Sequence, residues 1–561
     1  MATRNKKSVE AFKHEDAKRK NIPSAEQQSF VQRDQQDIKQ VRYPRNTDLD
    51  PQLVWRGKDE QDWSDLVVNA PPLYIQEKVH PKALIDELLR ESRESEYESG
   101  QITADLFSDF NGIPKGADKT EFYTHDQNWT NRMILGDSLQ VMASLAEREG
   151  LRSQVQCIFF DPPYGIKFNS NFQWSTTSRD VKDGNREHIT REPEMVKAFR
   201  DTWRDGIHSY LTYLRDRLTV ARDLLTESGS IFVQIGDENV HRVRALLDEV
   251  FGDENFVALI PFTKGAAGLS SSTQISSRLD YIIWHCKSAD RLKYRQLYEE
   301  KLSTEGSWIE FPDTTRVRRS EFAGELPKGS RLLDDVDLTK PGPGAKYRVA
   351  YQGQLFDSGN RWWGTPRESM ERLILSGKVM HVGKRLRIAR YTNDFPYQQI
   401  DNLWSGFGGQ KNPVYVVQTN TLIVQRCILM TTDPGDLVLD PTCGSGTTAT
   451  VCEHWGRRWI TMDTSRVALA LARSRLMGSR YPYFLLSDSQ DGQLKEAEVS
   501  RTAPSTQQVY GNIRHGFVYE RVPHITLKSI VNNAEIDVIW EKWQAVLEPL
   551  REQLNLSLHK S

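Results

Sequence analysis

Two short strand-like runs, each broken off by an acid and a proline, constrain this chain more than any other feature. VQCIFF (155–160) leads straight into Asp161-Pro162-Pro163-Tyr164-Gly165. DLVLD (436–440) leads into Pro441-Thr442-Cys443-Gly444-Ser445-Gly446-Thr447. Near-continuous apolar runs of this length suit strands buried on both faces, as in parallel sheets covered by helices. The surrounding pattern agrees. Met133 to Leu135 reads as a strand, Gly136-Asp137-Ser138 as a turn and N-cap, and Leu139, Met142 and Leu145 as one helical face. Trp203 to Leu225 repeats apolar residues at helical spacing. IFVQI follows as a strand, then a helix through Val240, Val243, Leu247 and Val250, then the strands FVALI and YIIWHC. The rhythm resumes after residue 400 with DLVLD, WITMD (459–463) and a helix over Val467 to Leu476. Alternating strands and helices joined by short turns predict an α/β class with a parallel, doubly wound sheet. Ligands of such sheets bind at the carboxyl ends of the strands, where both motifs stand.

Charge and cysteine usage narrow the setting. The 561 residues carry 74 Lys and Arg against 76 Asp and Glu, a net charge of -2, so the chain as a whole is not basic. Cys157, Cys286, Cys427, Cys443 and Cys452 form no CxxC pair. Neither a disulfide framework nor a zinc ribbon is expected, and no metal. No apolar run approaches the roughly 18 residues that span a bilayer. No apolar h-region opens the sequence, so a cytoplasmic protein without membrane contact is expected.

The glycine-rich motif lies between a strand and a helix. Its glycines permit a tight turn and close approach of a ligand to the backbone. The helix N-terminus adds free N–H groups. Asp440 places a carboxylate beside the loop, which repels phosphate and attracts a cationic amine. The next strand ends in Asp463, where an acid can take both hydroxyls of a ribose. No Lys-Ser/Thr follows the glycines, so this is not a P-loop. A ligand with an amino-acid head and a ribose fits: S-adenosylmethionine. In the other motif, prolines stiffen the turn and remove N–H donors. A carboxylate and a proline carbonyl then offer two acceptors, and Tyr164 a flat face. That is a grip for a planar ring with an exocyclic amine, adenine or cytosine.

Together these residues resemble the β-group of DNA N6-adenine methyltransferases, in which the DPPY motif precedes the cofactor loop. The modification (Mod) subunits of type III restriction-modification systems belong to that group. The resemblance covers roughly residues 129 to 480. It implies an α/β, Rossmann-like S-adenosylmethionine-dependent methyltransferase sheet with permuted motif order and an inserted target-recognition domain. It implies that Asp161 and the Pro162 carbonyl hold the adenine N6, with Pro163 completing the turn and Tyr164 stacking on the ring. Asp440, Pro441, Cys443, Gly444, Gly446 and Thr447 would form the cofactor loop, and Asp463 would bind the ribose. Asp137 matches the turn near the cofactor adenine, and Lys411-Asn412-Pro413 the stretch that encloses the methionine part. Thr442 stands where many relatives carry phenylalanine, which removes an apolar wall.

The expected organisation is a polar N-terminal extension (1–120), a catalytic half (121–290), a target-recognition insert (291–400), a cofactor half (401–485) and a C-terminal extension (486–561). Residues 1 to about 50 read as an extended arm, with a short helix following His80-Pro81. Residues 341–391 hold ten Lys and Arg against three acids, interleaved with Tyr347, Tyr351, Trp362, Trp363 and Tyr391. Such a patch suits phosphate contacts, with Arg361, Lys384, Arg385 and Arg387 as candidates. The expected substrate is double-stranded DNA. The expected partners are a restriction or helicase subunit and a second copy of the chain. N4-cytosine methylation is the alternative within the enzyme class, since the same grip serves. A non-catalytic DNA-binding or assembly subunit is the alternative outside it.

Overall fold

A computed structural model describes residues 39–45, 52–73, 75–79, 125, 129–165, 205–263, 278–300, 306–394, 396–407, 418–521 and 525–558. The first 38 residues of the arm expected over residues 1 to about 50, the helix after Pro81, Trp203 and Lys411-Asn412-Pro413 lie outside the described residues. The chain divides into two compact units. One is Met1–Tyr294 with Asn402–Tyr483, the other Arg295–Asp401 with Phe484–Ser561.

The first unit is built on an eight-stranded sheet. Its strands in chain order are β1 (Ile75–Val79), β2 (Asn131–Leu135), β3 (Val155–Phe160), β4 (Leu225–Gly236), β5 (Phe256–Thr263), β6 (Leu279–Cys286), β7 (Leu437–Asp440) and β8 (Arg458–Asp463). Their order in space is β1-β2-β8-β7-β3-β4-β6-β5. The strands that come last in sequence thus slot between β2 and β3. This makes the two motif-bearing strands neighbours: Val438 pairs with Cys157 and Leu439 with Ile158, in parallel.

The five central strands are parallel, as the sequence pattern predicts. The sheet is mixed overall, because β6 runs antiparallel to β4, β5 to β6 and β1 to β2. Strand periodicity reports burial on the two faces and not direction, so FVALI and YIIWHC read the same either way.

Side chains alternate across this sheet. Ile158, Phe160, Ile231, Val233, Leu437, Leu439, Ile460 and Met462 join one core cluster. Into it pack Val141 and Leu145 of α1 (Ser138–Glu147), Leu214 and Leu218 of α2 (Ile207–Leu224), and Leu246 and Leu247 of α3 (Val240–Phe251). The alternate residues Cys157, Phe159, Phe232, Val438 and Trp459 are buried as well. On that side α4 (Thr421–Thr431) packs against β3 and β4, and α5 (Thr447–His454) against α4 and α6 (Arg466–Met477). All five cysteines are buried and free.

Residues 39–43, expected to belong to an extended arm, form a strand instead. Lys39–Tyr43 pairs antiparallel with Leu66–Ala70, and Val41, Tyr43, Val68 and Ala70 enter the core. Arg148 of the α1 C-cap donates to the Ala70 carbonyl at 2.7 Å. Lys58, only 1% exposed, is ion-paired to Glu249 of α3 at 2.8 Å. Arg215 of α2 joins Glu249 at 2.9 Å and Asp62 at 2.6 Å. Polar composition suggested solvent exposure, but these charges are paired and buried.

The second unit holds a five-stranded antiparallel sheet in the order Arg316–Arg318, Trp308–Glu310, Arg331–Asp337, Arg385–Tyr391, Val379–Val382. Leu338, Val349, Trp363, Met370, Leu373 and Leu386 form one of its cores. The C-terminal stretch belongs to this unit. Ile525 donates its N–H to the Asp394 carbonyl, and Arg372 is ion-paired to Asp537.

Candidate active site

The DPPY turn leaves β3 at Phe160 and is tied to its neighbours at several points. The Asp161 N–H donates to Thr442 Oγ1 at 3.0 Å, and the Thr442 N–H donates to Asp440 Oδ1 at 3.0 Å. The residue read as a missing apolar wall is therefore the tether between the two motifs. Pro162 is buried and Pro163 half-buried. Asn239, just before α3, donates to the Tyr164 carbonyl at 2.7 Å. Gly165 has φ of 79°, and a Cβ there would sit 2.6 Å from Asn239 Nδ2, so the turn needs a glycine.

A polar network surrounds the Asp161 carboxylate. Gln234 of β4 donates from Nε2 to the Tyr164 hydroxyl at 2.6 Å and to Thr419 Oγ1 at 2.9 Å. Thr419 Oγ1 donates to Asp161 Oδ2 at 3.1 Å, and Gln234 Nε2 lies 3.5 Å from the same oxygen. Burial pushes the Asp161 carboxyl up to about 7, helped by the Asp440 and Asp280 charges and opposed by the Thr419 and Tyr164 hydrogen bonds. Burial likewise holds the Tyr164 phenol well above its usual range.

The glycine-rich turn follows β7. Asp440 is buried, and burial raises its carboxyl to about 7 against hydrogen bonds from Thr442 and Thr448; the Asp463 charge raises it further. Pro441 is buried. The Cys443 N–H donates to the Met462 carbonyl at 2.8 Å, binding the loop to β8. Gly444 and Gly446 take φ of 50° and 72°. A Cβ on Gly446 would lie 2.8 Å from Ala472 Cβ of α6, so the loop and helix approach too closely for any other residue. Thr447 opens α5, and Arg475 donates to its Oγ1 at 2.9 Å and to Ser445 Oγ at 3.2 Å. Asp463 Oδ2 accepts from the Gly444 N–H at 2.9 Å and Oδ1 from the Ser465 N–H at 2.8 Å. Asp137 caps α1 by accepting from the Leu139 N–H at 2.8 Å, and is ion-paired to Arg217 at 2.6 Å. Both carboxylates thus shape the backbone around the loop.

The topology brings together Asp137, Asp161, Asp440 and Asp463 with their turns. Lys411 and Pro413 lie outside the described residues. Sequence reasoning missed Gln234 and Thr419. Gln234 left a signal, as a polar residue in the buried run that ends β4. Thr419 left none.

The basic stretch of the second unit looks different once folded. Trp363 is 1% exposed, with its indole N–H donating to the Tyr347 carbonyl at 2.8 Å. Tyr391 is buried and its hydroxyl donates to Glu310 at 2.6 Å. These rings are core and not a stacking surface. Arg361 donates to Thr339 Oγ1 at 2.8 Å and pairs with Asp337; Arg387 pairs with Asp335 at 3.3 Å. Lys384 and Arg385 are exposed beside Gly383, at the turn between Val379–Val382 and Arg385–Tyr391. Among the described residues no ion pair engages them.

Known proteins share this arrangement of sequence. Over 348 residues the chain is 27% identical to the type II methyltransferase M.EcaI of Enterobacter cloacae, covering 60% of this chain and 67% of that protein. Over 374 residues it is 24% identical to the Mod subunit of the type III restriction-modification enzyme StyLTI of Salmonella typhimurium, covering 62% of this chain and 54% of that subunit. Among solved structures, the PvuII DNA methyltransferase (cytosine-N4-specific) aligns over 62% of this chain and 86% of that one, at 16% identity and a TM-score of 0.29. Residues 155–474 match the model of the N6_N4 DNA methylase family, and the chain belongs to that family.

Proposed function

We propose that this protein transfers a methyl group from S-adenosylmethionine to the N6 amine of adenine in double-stranded DNA. One observation carries the reading: the amine-gripping turn and the glycine-rich loop lie on adjacent parallel strands and are joined through Thr442. The donor set fits the cofactor. The Asp440 charge raises the Asp161 carboxyl and the Asp463 charge raises that of Asp440 in a partly dry cleft, an environment that favours a cation beside Asp440. When bound, S-adenosylmethionine supplies an electrophilic methyl on a sulfonium. Asp440 and the Cys443–Gly446 turn would hold its amino-acid end, Asp463 its ribose and the Asp137 turn its adenine.

The target adenine leaves the duplex to reach the turn. Its exocyclic nitrogen is a poor nucleophile, because the lone pair is delocalised into the ring. Asp161 and the Pro162 carbonyl would accept its two N–H groups and favour a pyramidal nitrogen, freeing the lone pair. Tyr164 would cover the ring face. Nitrogen gains the methyl as the carbon–sulfur bond breaks, and the surplus proton leaves through Asp161 or water. Positioning is the main catalytic contribution, worth up to about 7–11 kcal/mol.

Residues 291–400 serve in this reading as the target-recognition insert. The Mod name of the Salmonella relative supports a restriction subunit as partner. Among the described residues no helix is long and apolar enough to cross a membrane.

The test is expression in a methylation-free bacterium with modified bases mapped by long-read sequencing. N6-methyladenine in one short motif is expected. The Asp161→Ala variant should leave that motif unmodified while binding cofactor as the wild type does. Methylation at the wild-type level by this variant would remove Asp161 from the chemistry, and methylated cytosine would replace adenine as the substrate.

A further inference from the structure

Two residues that no motif contains complete the setting of Asp161. Gln234 lies on β4, next to β3 in the sheet, and Thr419 lies just ahead of α4. The Gln234 amide has two N–H bonds. One points at the Tyr164 hydroxyl at 2.6 Å, the other at Thr419 Oγ1 at 2.9 Å. A hydroxyl has a single proton. An oxygen that already accepts from the amide is free to turn that proton elsewhere. The Thr419 hydroxyl turns it toward Asp161, at 3.1 Å from Oδ2. The alternative bond from Thr419 to Gln234 Oε1 is longer, at 3.3 Å.

Resting on the functional reading above, we propose that Thr419 and Gln234 are positioning residues for methyl transfer. They hold the Asp161 carboxylate in the orientation in which it accepts from the target amine. Neither needs to touch the substrate. Their effect passes through Oδ2 and through the Tyr164 hydroxyl, so they fix the two groups that grip the ring at once. This role has an electrostatic side. The groups facing Asp161 are the Asp440 carboxylate from β7, the Asp280 carboxylate from β6 and the Tyr164 phenol on its own turn. The two acids oppose ionisation of Asp161. The Thr419 and Tyr164 hydrogen bonds favour it, because they stabilise the charged form. Removing the Thr419 hydroxyl leaves burial and like charge with less opposition. The acid limb of the rate profile then moves to higher pH.

The experiment measures transfer of labelled methyl groups by the full-length chain to DNA from a methylation-free host, from pH 5.5 to 9. Wild type, Thr419→Val and Thr419→Ser are compared at saturating cofactor and DNA, and cofactor affinity is measured separately. Thr419→Val keeps the volume and loses the donor. It should lower kcat by ~10- to 100-fold at neutral pH, shift the acid limb upward and leave cofactor affinity within about twofold. Thr419→Ser should restore both the rate and the limb. Gln234→Met provides a second route to the same upward shift should the valine variant fold poorly. A valine variant with wild-type rate and limb overturns the proposal. So does an equal loss in valine and serine variants with the limb unmoved, which marks a packing role. A wild-type protein that methylates no DNA defeats the functional reading itself. An active wild type with an indifferent Thr419→Val defeats only this inference.

Discussion

Asp161 and Asp440 stand where two adjacent strands end, and both carboxyls are pushed up to about 7 from an ordinary value near 4. At neutral pH each is therefore partly protonated without a ligand. A cationic cofactor amine held by Asp440 favours the ionised form of that group, so its binding expels a proton. The sign follows from the raised values. Near pH 7 cofactor binding should release a fraction of a proton up to about one, and affinity should climb as pH rises toward 8. Above that range Asp440 is ionised beforehand, and release should fall to zero. Calorimetry in buffers of different ionisation enthalpy measures this directly; uptake of protons, or no exchange at pH 7, would contradict the assignment. Asp161, Asp440, Asp463 and Asp137 were legible because each follows a strand or opens a turn, so the chain itself announces them. Thr442 was legible as a departure but not in its effect. Its hydroxyl matters only because β7 lies beside β3, a pairing between residues about 280 positions apart. Thr419 was invisible for the same reason.

At the scale of elements, charge counted along the sequence misstates charge in space. Residues 341–391 carry a large local excess of cations. Folding supplies acids from outside that window: Asp334, Asp335 and Asp337 of the Arg331–Asp337 strand, Asp394, and Asp537 of the last helix. Arg361, Arg372, Lys378 and Arg387 are held by these partners and build the unit. The hairpin turn at Lys384 and Arg385 keeps its charge for solvent or phosphate. Neutralising both, as Lys384→Gln with Arg385→Gln, should weaken DNA binding across sequences. It should flatten the plot of log K against log salt by about 0.9 for each phosphate that is no longer neutralised. Arg361→Gln should instead lower stability, by loosening the Thr339 turn, and leave the slope of the folded protein unchanged. An unaltered slope in the double variant would take this hairpin out of the DNA interface.

At the scale of the molecule, the final helix, Glu535–Leu558, bears on assembly. None of its residues is buried, yet ten large apolar side chains from Val538 to Leu558 are each 45–65% exposed. Ile536, Trp540, Trp543, Leu547, Leu550 and Leu554 follow one another at intervals of four and three residues, the seam of a coiled coil. A single helix cannot bury such a seam; a second helix with the same repeat can. At ~100 Å² for each half-exposed side chain, the eight on the seam side, all but Val538 and Leu556, offer about 800 Å², near the ~800 Å² per partner of a standard stable interface. A second copy of this chain supplies a matching seam at equal concentration, so the helix is expected to pair with itself in a homodimer. Its foot is anchored for this, since Arg372 binds Asp537 and the Val531 carbonyl. Trp543→Glu with Leu550→Glu places charge in the seam and should convert a dimer to a monomer in sedimentation velocity. The sheet that carries Asp161 does not include this helix, so cofactor affinity should be retained. A wild-type chain that sediments as a monomer at micromolar concentration would show that the seam is covered by something other than its twin.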